Sequence, residues 1–547
     1  MKQIDIYPLK GMFSPNETII FQVELMDVEV KTEAIVEVYD LFERVYSSIH
    51  NLDFHCGIAK LEIPSMKKNR GYGVSIKIGS LLSTTSFEIY DDWKKIPRYG
   101  FLSDFTTENL DRHEYLKTLL KLHINVVQYY DWMYQHNDLV SNTDEFVDLM
   151  GRTLNQKTVK NRVSMLGEHN IRSMAYGAIY GASNEFYKNH EDWAFYNNKG
   201  EPIQFIDVFT IMNFTKNSPW HNYIINEYKK AIEMIGFDGI HMDTYGYPKI
   251  ARDFNGNVIH LDEHFNELIN DTKKTLEKNN LSNDLIFNNV GSWPVETTYK
   301  AKQSALYIEV WDPISKYNDL IQLVRRVKSL TKQKQLIISA YLKPYYEFNR
   351  KESTISHKLL SAVLYSEGAH HLIMGEEQKV LRTGYYCDYG TLSNEQFNEI
   401  RKYYDFNSRY STLLYDAKLE DKTLTHTEGD NEEYVFPKET VSATPEKGKI
   451  FVSIKETKKR KIIHLINLNG QFDTVWNEQK NLPIMVSNIE VKVLILQEVI
   501  GVYVASPDDN HDMASLKYET LESPNGSVIT FNIKSIEIWS MVLIQLK

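Results

Sequence analysis

The hydrophobic rhythm of the chain changes twice. From residue 1 to about 95 it runs in short alternating stretches, ETIIFQVEL, EAIVEVYDLF, GYGVSIKIG and STTSFEIYD, set apart by polar turns such as SPNE. Apolar residues at every second position mark half-buried strands, so residues 1–95 are predicted to form an N-terminal, immunoglobulin-like β-sandwich. The same rhythm returns over 419–547 in KIFVSIKE, KIIHLINL, IEVKVLIL, IGVYVAS, SVITFNI and IEIWSMVLIQL, which predicts a C-terminal antiparallel β-sandwich.

Between them, over 96–418, short apolar runs alternate with longer amphipathic ones. Eight candidate strands occur in order: YGFLSDF (99–105), INVVQYYDW (124–132), IRSMAYGAI (171–179), FDGIHMDTYG (237–246), DLIFNNVG (284–291), ALYIEVWD (305–312), LIISAYLKP (336–344) and HHLIMGEE (370–377). Helical patterns such as HNYIINEYKKAIEMIG and KYNDLIQLVRRVKSLTKQ fall between them. Strand–helix alternation repeated eight times predicts a (β/α)8 TIM barrel at the centre of a multidomain chain. A long insertion at about 180–220 follows the third strand and carries Trp193, Phe195, Tyr196 and Trp220. Loops of that length usually serve function.

Composition narrows the options. With 42% apolar residues among 547, the chain can bury several cores, which excludes a disordered or low-complexity protein. A net charge of −11 argues against a nucleic-acid partner, since such binding rests on phosphate neutralisation. Cys56 and Cys387 are too few and too far apart for a disulfide framework or a structural zinc site. The longest apolar runs are strand-sized, so no membrane span is expected. The N-terminus lacks a signal-peptide core, leaving two readings of the compartment: the protein stays inside, or a leader has been removed.

In a barrel of this kind the chemistry sits at the C-terminal ends of the strands. There the sequence places Asp104, Asp131 with Trp132, Tyr176, Asp243, Asn288 and Asn289, Glu309 with Trp311 and Asp312, Tyr341 and Lys343, and Glu376 with Glu377. Phosphate loops, serine elbows and redox-cofactor fingerprints are missing from this set. Paired carboxylates with aromatic faces suit glycoside hydrolysis, in which one acid attacks or polarises the anomeric carbon and a second protonates the leaving oxygen. Asp243 and Glu309 each end a short apolar run, two βα units apart, and are the pair selected. The plainer reading of a lone strand-end Asp is a helix cap or loop ion pair, and it suffices for Asp312 and Asp319.

Several segments in order resemble glycoside hydrolase family 66, the dextranases and cycloisomaltooligosaccharide glucanotransferases: PRYGFLSDF (97–105), INVVQYYDWMYQHN (124–137), MAYGAIYGA (174–182), GFDGIHMDTYG (236–246), YIEVWDP (307–313), GAHHLIMGEE (368–377) and YYDFNSRYSTLLYD (403–416). The resemblance implies a retaining endo-hydrolase of α-1,6-glucan, with Asp243 as nucleophile and Glu309 as general acid/base. It implies sugar contacts from Asp131, Trp132, Tyr176, Asn289, Trp311 and Glu376, no cofactor, and a monomer acting on dextran or isomaltooligosaccharides. Retention further implies carboxyl groups about 5–5.5 Å apart. The chain departs from the family pattern at His136-Asn137, Gly177 and YYCDYGTLS (385–393), which bears on chain-length or acceptor preference. Family glucanotransferases carry a carbohydrate-binding module inserted in the later half of the barrel, and no such insertion fits between Glu309 and the barrel end near 416. That favours hydrolysis over two alternatives, a transglycosylase and a non-catalytic glucan-binding protein.

Other features have plain readings. His241 and Asp243 share a strand face but lack a third ligand at suitable spacing, so no metal site is expected. His370-His371 reads as core, and KETKKRK (455–461) as a solvated hairpin turn.

Overall fold

The computed structural model describes residues 4–25, 31–66, 69–346, 350–427, 429–438, 440–509 and 512–547. Its N-terminal part is two facing antiparallel sheets. One holds Ile4–Pro8, Ile19–Leu25 and Ile58–Ile63; the other runs in the order Glu43–Asp53, Lys31–Asp40, Arg70–Ile78, Leu81–Ile89. Alternation does what the sequence implies: Ile19, Phe21, Val23 and Leu25 point inward and meet Val36, Val38, Val74, Ile76 and Phe87.

The centre is a parallel barrel. Tyr99–Leu102, Val126–Tyr129, Arg172–Ala178, Gly239–Asp243, Asp284–Val290, Ala305–Glu309, Leu336–Ser339 and His370–Leu372 pair in chain order. A parallel bridge from Phe101 to Gly375 returns the eighth strand to the first. Each of the eight apolar runs contains one of these strands, because a barrel strand is covered on both faces and reads as continuous apolar sequence. Helices lie between them, and their ends follow the sequence. Pro219–Ile235 starts with the Ser218 hydroxyl accepting from the Trp220 amide and stops at Gly236, whose φ of 96° only glycine adopts cheaply. Asn394–Arg409 opens with a Ser393/Gln396 capping box.

Small antiparallel pieces decorate the C-terminal rim: Glu145–Val147 with Thr153–Asn155, Gly181–Ser183 with Gln204–Phe205 and Phe209–Ile211, Ile250–Arg252 with Val258–His260, and Lys379–Leu381 with Tyr389–Thr391. The long insertion after the third strand is the second of these.

The C-terminal part has two further sheets, one centred on Ile450–Thr457, Arg460–Asn467 and Trp539–Leu546, the other on Val486–Ile495 and Gly526–Ile536. Of residues 455–461, only Lys458 and Lys459 form the exposed turn between Ile450–Thr457 and Arg460–Asn467; Lys455 is buried on the strand, where it pairs with Glu367. Phe451, Ile462, Ile466, Trp539 and Met541 join the barrel core, with Trp539 packed on Tyr365, Tyr403 and Phe406. The N-terminal sheet docks as tightly: a Cβ at Gly71 would lie 1.8 Å from the Ser408 carbonyl oxygen. Among the described residues no helix is long and apolar enough to cross a membrane.

Candidate active site

The period of two along a strand explains who meets at the barrel mouth. His241 and Asp243 share the inward face of the fourth strand, and Tyr307 and Glu309 that of the sixth. The histidine and tyrosine fill the layer below, where the Tyr99 hydroxyl meets His241 Nδ1 at 2.9 Å and Tyr307 packs edge-on to the imidazole. The two acids stand one layer higher. Between them the fifth strand presents Asn288, whose Nδ2 donates to Asp243 Oδ1 at 2.7 Å and to Glu309 Oε2 at 2.8 Å. Those two carboxylate oxygens are therefore no more than about 5.5 Å apart. Tyr176 donates to Asp243 Oδ2 at 2.7 Å, and Tyr341 donates to Glu309 Oε1 at 2.8 Å.

Burial raises both acids, and the hydrogen bonds resist it. Asp243 is pushed up to about 6 by desolvation, held back by the donors Asn288 and Tyr176. Glu309 is pushed further, to about 7, by desolvation and then by the Asp243 charge, against bonds from Asn288, Tyr341 and the Trp311 side chain. The pair exchanges protons as a unit, with Glu309 the better proton holder.

Aromatic rings wall the site. Tyr386 stacks on Tyr130 at 4.4 Å between centroids, and its hydroxyl lies 2.9 Å from that of Tyr307 and 3.4 Å from that of Tyr341. On the opposite side Tyr245 stacks on Phe205 of the long insertion at 4.1 Å. Trp311 is 45% exposed at the rim.

Of the residues selected from sequence, the structure brings Asp243, Glu309, Tyr176 and Trp311 together. Asp131 stands nearby in a left-handed conformation, φ 45°. Its carboxylate accepts no hydrogen bond from any described residue; Arg152 and His136 approach only to 3.9 and 4.0 Å. Burial carries its pKa up to about 7, and the Asp148 and Asp243 charges add to the rise against Arg152. Three selections lie elsewhere and are corrected. Trp132 is buried against Phe237, with its indole N–H on the Tyr176 carbonyl. Asn289 points outward, donating to the Phe287 and Tyr307 carbonyls and accepting from Thr298. Glu376 is wholly buried, paired with Arg162 and accepting the Ser103 and Asp104 amides. Among the described residues no three His, Cys, Asp or Glu side chains cluster as a metal site would require. Trp220 is core, and Asp319 caps the helix Tyr317–Leu330.

The family model for glycosyl hydrolase family 66 matches residues 9–543. The chain belongs to that family. It is thus a glycoside-hydrolase-type enzyme. A cycloisomaltooligosaccharide glucanotransferase of Niallia circulans is 23% identical over 98% of this chain and 71% of its own length. A dextranase of Streptococcus salivarius is also 23% identical, over 88% of this chain and 68% of its own. The crystal structure of a Paenibacillus sp. cycloisomaltooligosaccharide glucanotransferase complexed with cycloisomaltoheptaose superposes with a TM-score of 0.90 at 20% identity, covering 99% of this chain and all of that one.

Sequence reasoning did not select four residues that bond to these acids or wall them: Asn288, Tyr341, Tyr130 and Tyr386. The first two were visible as strand ends; Tyr386 comes from the rim hairpin after the eighth strand and carries no periodic signal. That hairpin is pressed against the acids through Gly384. A Cβ there would sit 2.9 Å from the Trp311 ring and 3.1 Å from Glu309 Oε1. Gly384→Ala is expected to displace Trp311 or Glu309 and lower kcat/KM roughly tenfold, about 1.4 kcal/mol of transition-state stabilisation. Steady-state kinetics beside a thermal melt check this: activity should fall while Tm stays within a few degrees.

Proposed function

We propose that this family 66 enzyme cleaves α-1,6-glucosidic bonds within dextran or isomaltooligosaccharides, retaining anomeric configuration by double displacement. The observation that carries the reading is the single Asn288 amide shared by Asp243 and Glu309, which fixes the acids at a spacing suited to direct attack rather than to an intervening water. Asp243 attacks the anomeric carbon while Glu309 gives its proton to the departing glycosidic oxygen. The β-linked glycosyl–Asp243 ester is then opened by water, whose proton returns to Glu309. Trp311 offers a face for a glucose ring, and Tyr176 keeps the attacking carboxylate aimed. Asp131, buried with unbonded oxygens, is suited to accept sugar hydroxyls that complete its hydrogen bonding. The linkage is inferred from the relatives, a dextranase and enzymes that form or hold cyclic isomaltooligosaccharides.

Hydrolysis is the first reading of the second step. The alignments with the Niallia glucanotransferase and the Streptococcus dextranase spread over 700 and 573 positions, each more than the residues of this chain they cover, so both relatives carry segments this chain lacks. Transfer to a sugar acceptor is the second reading, favoured by the Niallia relative's name and by the neighbouring structure with its cyclic ligand. The test is incubation with dextran followed by sizing of the products and NMR of the first-formed anomer. Short linear isomaltooligosaccharides released as the α-anomer are expected. Cyclic or lengthened products would replace hydrolysis by transfer, and an intact polymer would end the proposal.

A further inference from the structure

At the opposite end of the barrel from the acids lies a cleft of about 1480 Å3, bounded by all three parts of the chain. Its position follows from chain order: Lys95 precedes the first barrel strand and Lys332 the seventh, so both sit at the N-terminal end of the barrel, away from the mouth. The N-terminal sandwich contributes Arg70, and the C-terminal part the hairpin residues Lys458, Lys459 and Arg460.

The charge here runs against the whole molecule. A chain of net −11 lines this cleft with nine Lys and Arg against four Asp and Glu. Several of the cations have no carboxylate within ion-pair distance among the described residues: Lys332, Lys418, Lys458, Lys459 and Arg460. Arg70 does pair with Asp40, at 2.5 Å, yet its buried Nε is left without an acceptor. Arg460 is partly buried beside Arg70, and desolvation together with that like charge makes its protonated form less favourable than usual. Gathering like charges in one concavity costs stability, and an anion in the cleft would offset that cost.

We propose that the cleft binds a polyanionic chain bearing repeated phosphate groups, such as a sugar- or polyol-phosphate polymer, and so anchors the enzyme through the face opposite its active site. Spread across three parts of the fold, the cations match several charges in a row rather than one small ion. A nucleic acid is the poorer fit, because the aromatic rings on the cleft wall, Tyr90 and Tyr415, are buried and offer no platform for stacked bases. This proposal goes beyond the catalytic reading and does not depend on it.

Calorimetry or fluorescence anisotropy with inorganic polyphosphate on the full chain tests it. Binding is expected to weaken about 50-fold between 50 and 200 mM salt if four phosphates are neutralised. The double substitution Lys458→Glu with Lys459→Glu, at an exposed turn, should weaken binding at least tenfold while turnover of dextran and Tm are unchanged. Inorganic monophosphate bound as tightly as polyphosphate would overturn the polymer claim. Single-stranded DNA bound more tightly than polyphosphate would overturn the base-free claim. Polyphosphate that does not bind, or binds the double variant equally well, would overturn the site itself.

Discussion

Asp243→Ala is expected to lose on the order of 10^4-fold in turnover of dextran, the scale on which removing a covalent nucleophile acts. Glu309→Ala should fall by about 10^2–10^4-fold, the range of a lost general acid/base. Magnitude alone does not separate the roles, but added azide does. In Asp243→Ala azide takes the place of the missing carboxylate, attacks from the β-face, and yields a β-glucosyl azide. In Glu309→Ala the Asp243 ester still forms when the leaving group is activated, azide opens it from the α-face, and an α-glucosyl azide results. Opposite anomers from the two variants, read by NMR, are the expected outcome. The same anomer from both, or a β-azide from Glu309→Ala, would reverse or remove the assignment. Both side chains are partly exposed at the mouth and neither supports the core, so Tm should move little.

How much of this was legible in the sequence depends on what each residue touches. The barrel strands were legible because burial on both faces makes each one a continuous apolar run, and Asp243 and Glu309 were legible as the first polar residues to end such runs. The strand phase was not. In NNV of the fifth strand both asparagines are polar and adjacent, and only the barrel's curvature decides that Asn288 faces the acids and Asn289 the helices. The period of two also fails beyond the second strand, where Asp131 turns left-handed and Trp132 folds back onto Phe237. Glu376 resembled a mouth carboxylate, yet its partner Arg162 comes from a helix more than two hundred residues earlier, a contact no local pattern records. The rim hairpins are two or three residues wide per strand, too short for alternation to register.

Asn288 carries the second large expectation. Its one NH2 group gives a hydrogen to each acid, and the acids are ionised or proton-sharing when they receive it, so each bond is charge-assisted and worth about 1.5–3 kcal/mol. Both bonds lower the pKa values of their acceptors. Asn288→Leu, close in volume and without a donor, should therefore raise both pKa values by about one to two units, at about 1.4 kcal/mol per unit. For the native enzyme the acid limb of kcat/KM is expected to follow ionisation of Asp243 and the alkaline limb deprotonation of Glu309, both raised by burial and Glu309 the more so, which gives a bell shifted above the ordinary carboxylate range. In Asn288→Leu the whole bell should move to higher pH, and its maximum should fall about 100-fold as the two acids lose their shared tether. Asn288→Asp is the contrasting variant. A third carboxylate in the same place adds a charge that opposes ionisation of both neighbours, so its acid limb should move up further still. A purely structural asparagine would lower Tm and leave the bell where it was; a bell that stays in place while activity falls would show that Asn288 does not set the proton affinities of the pair.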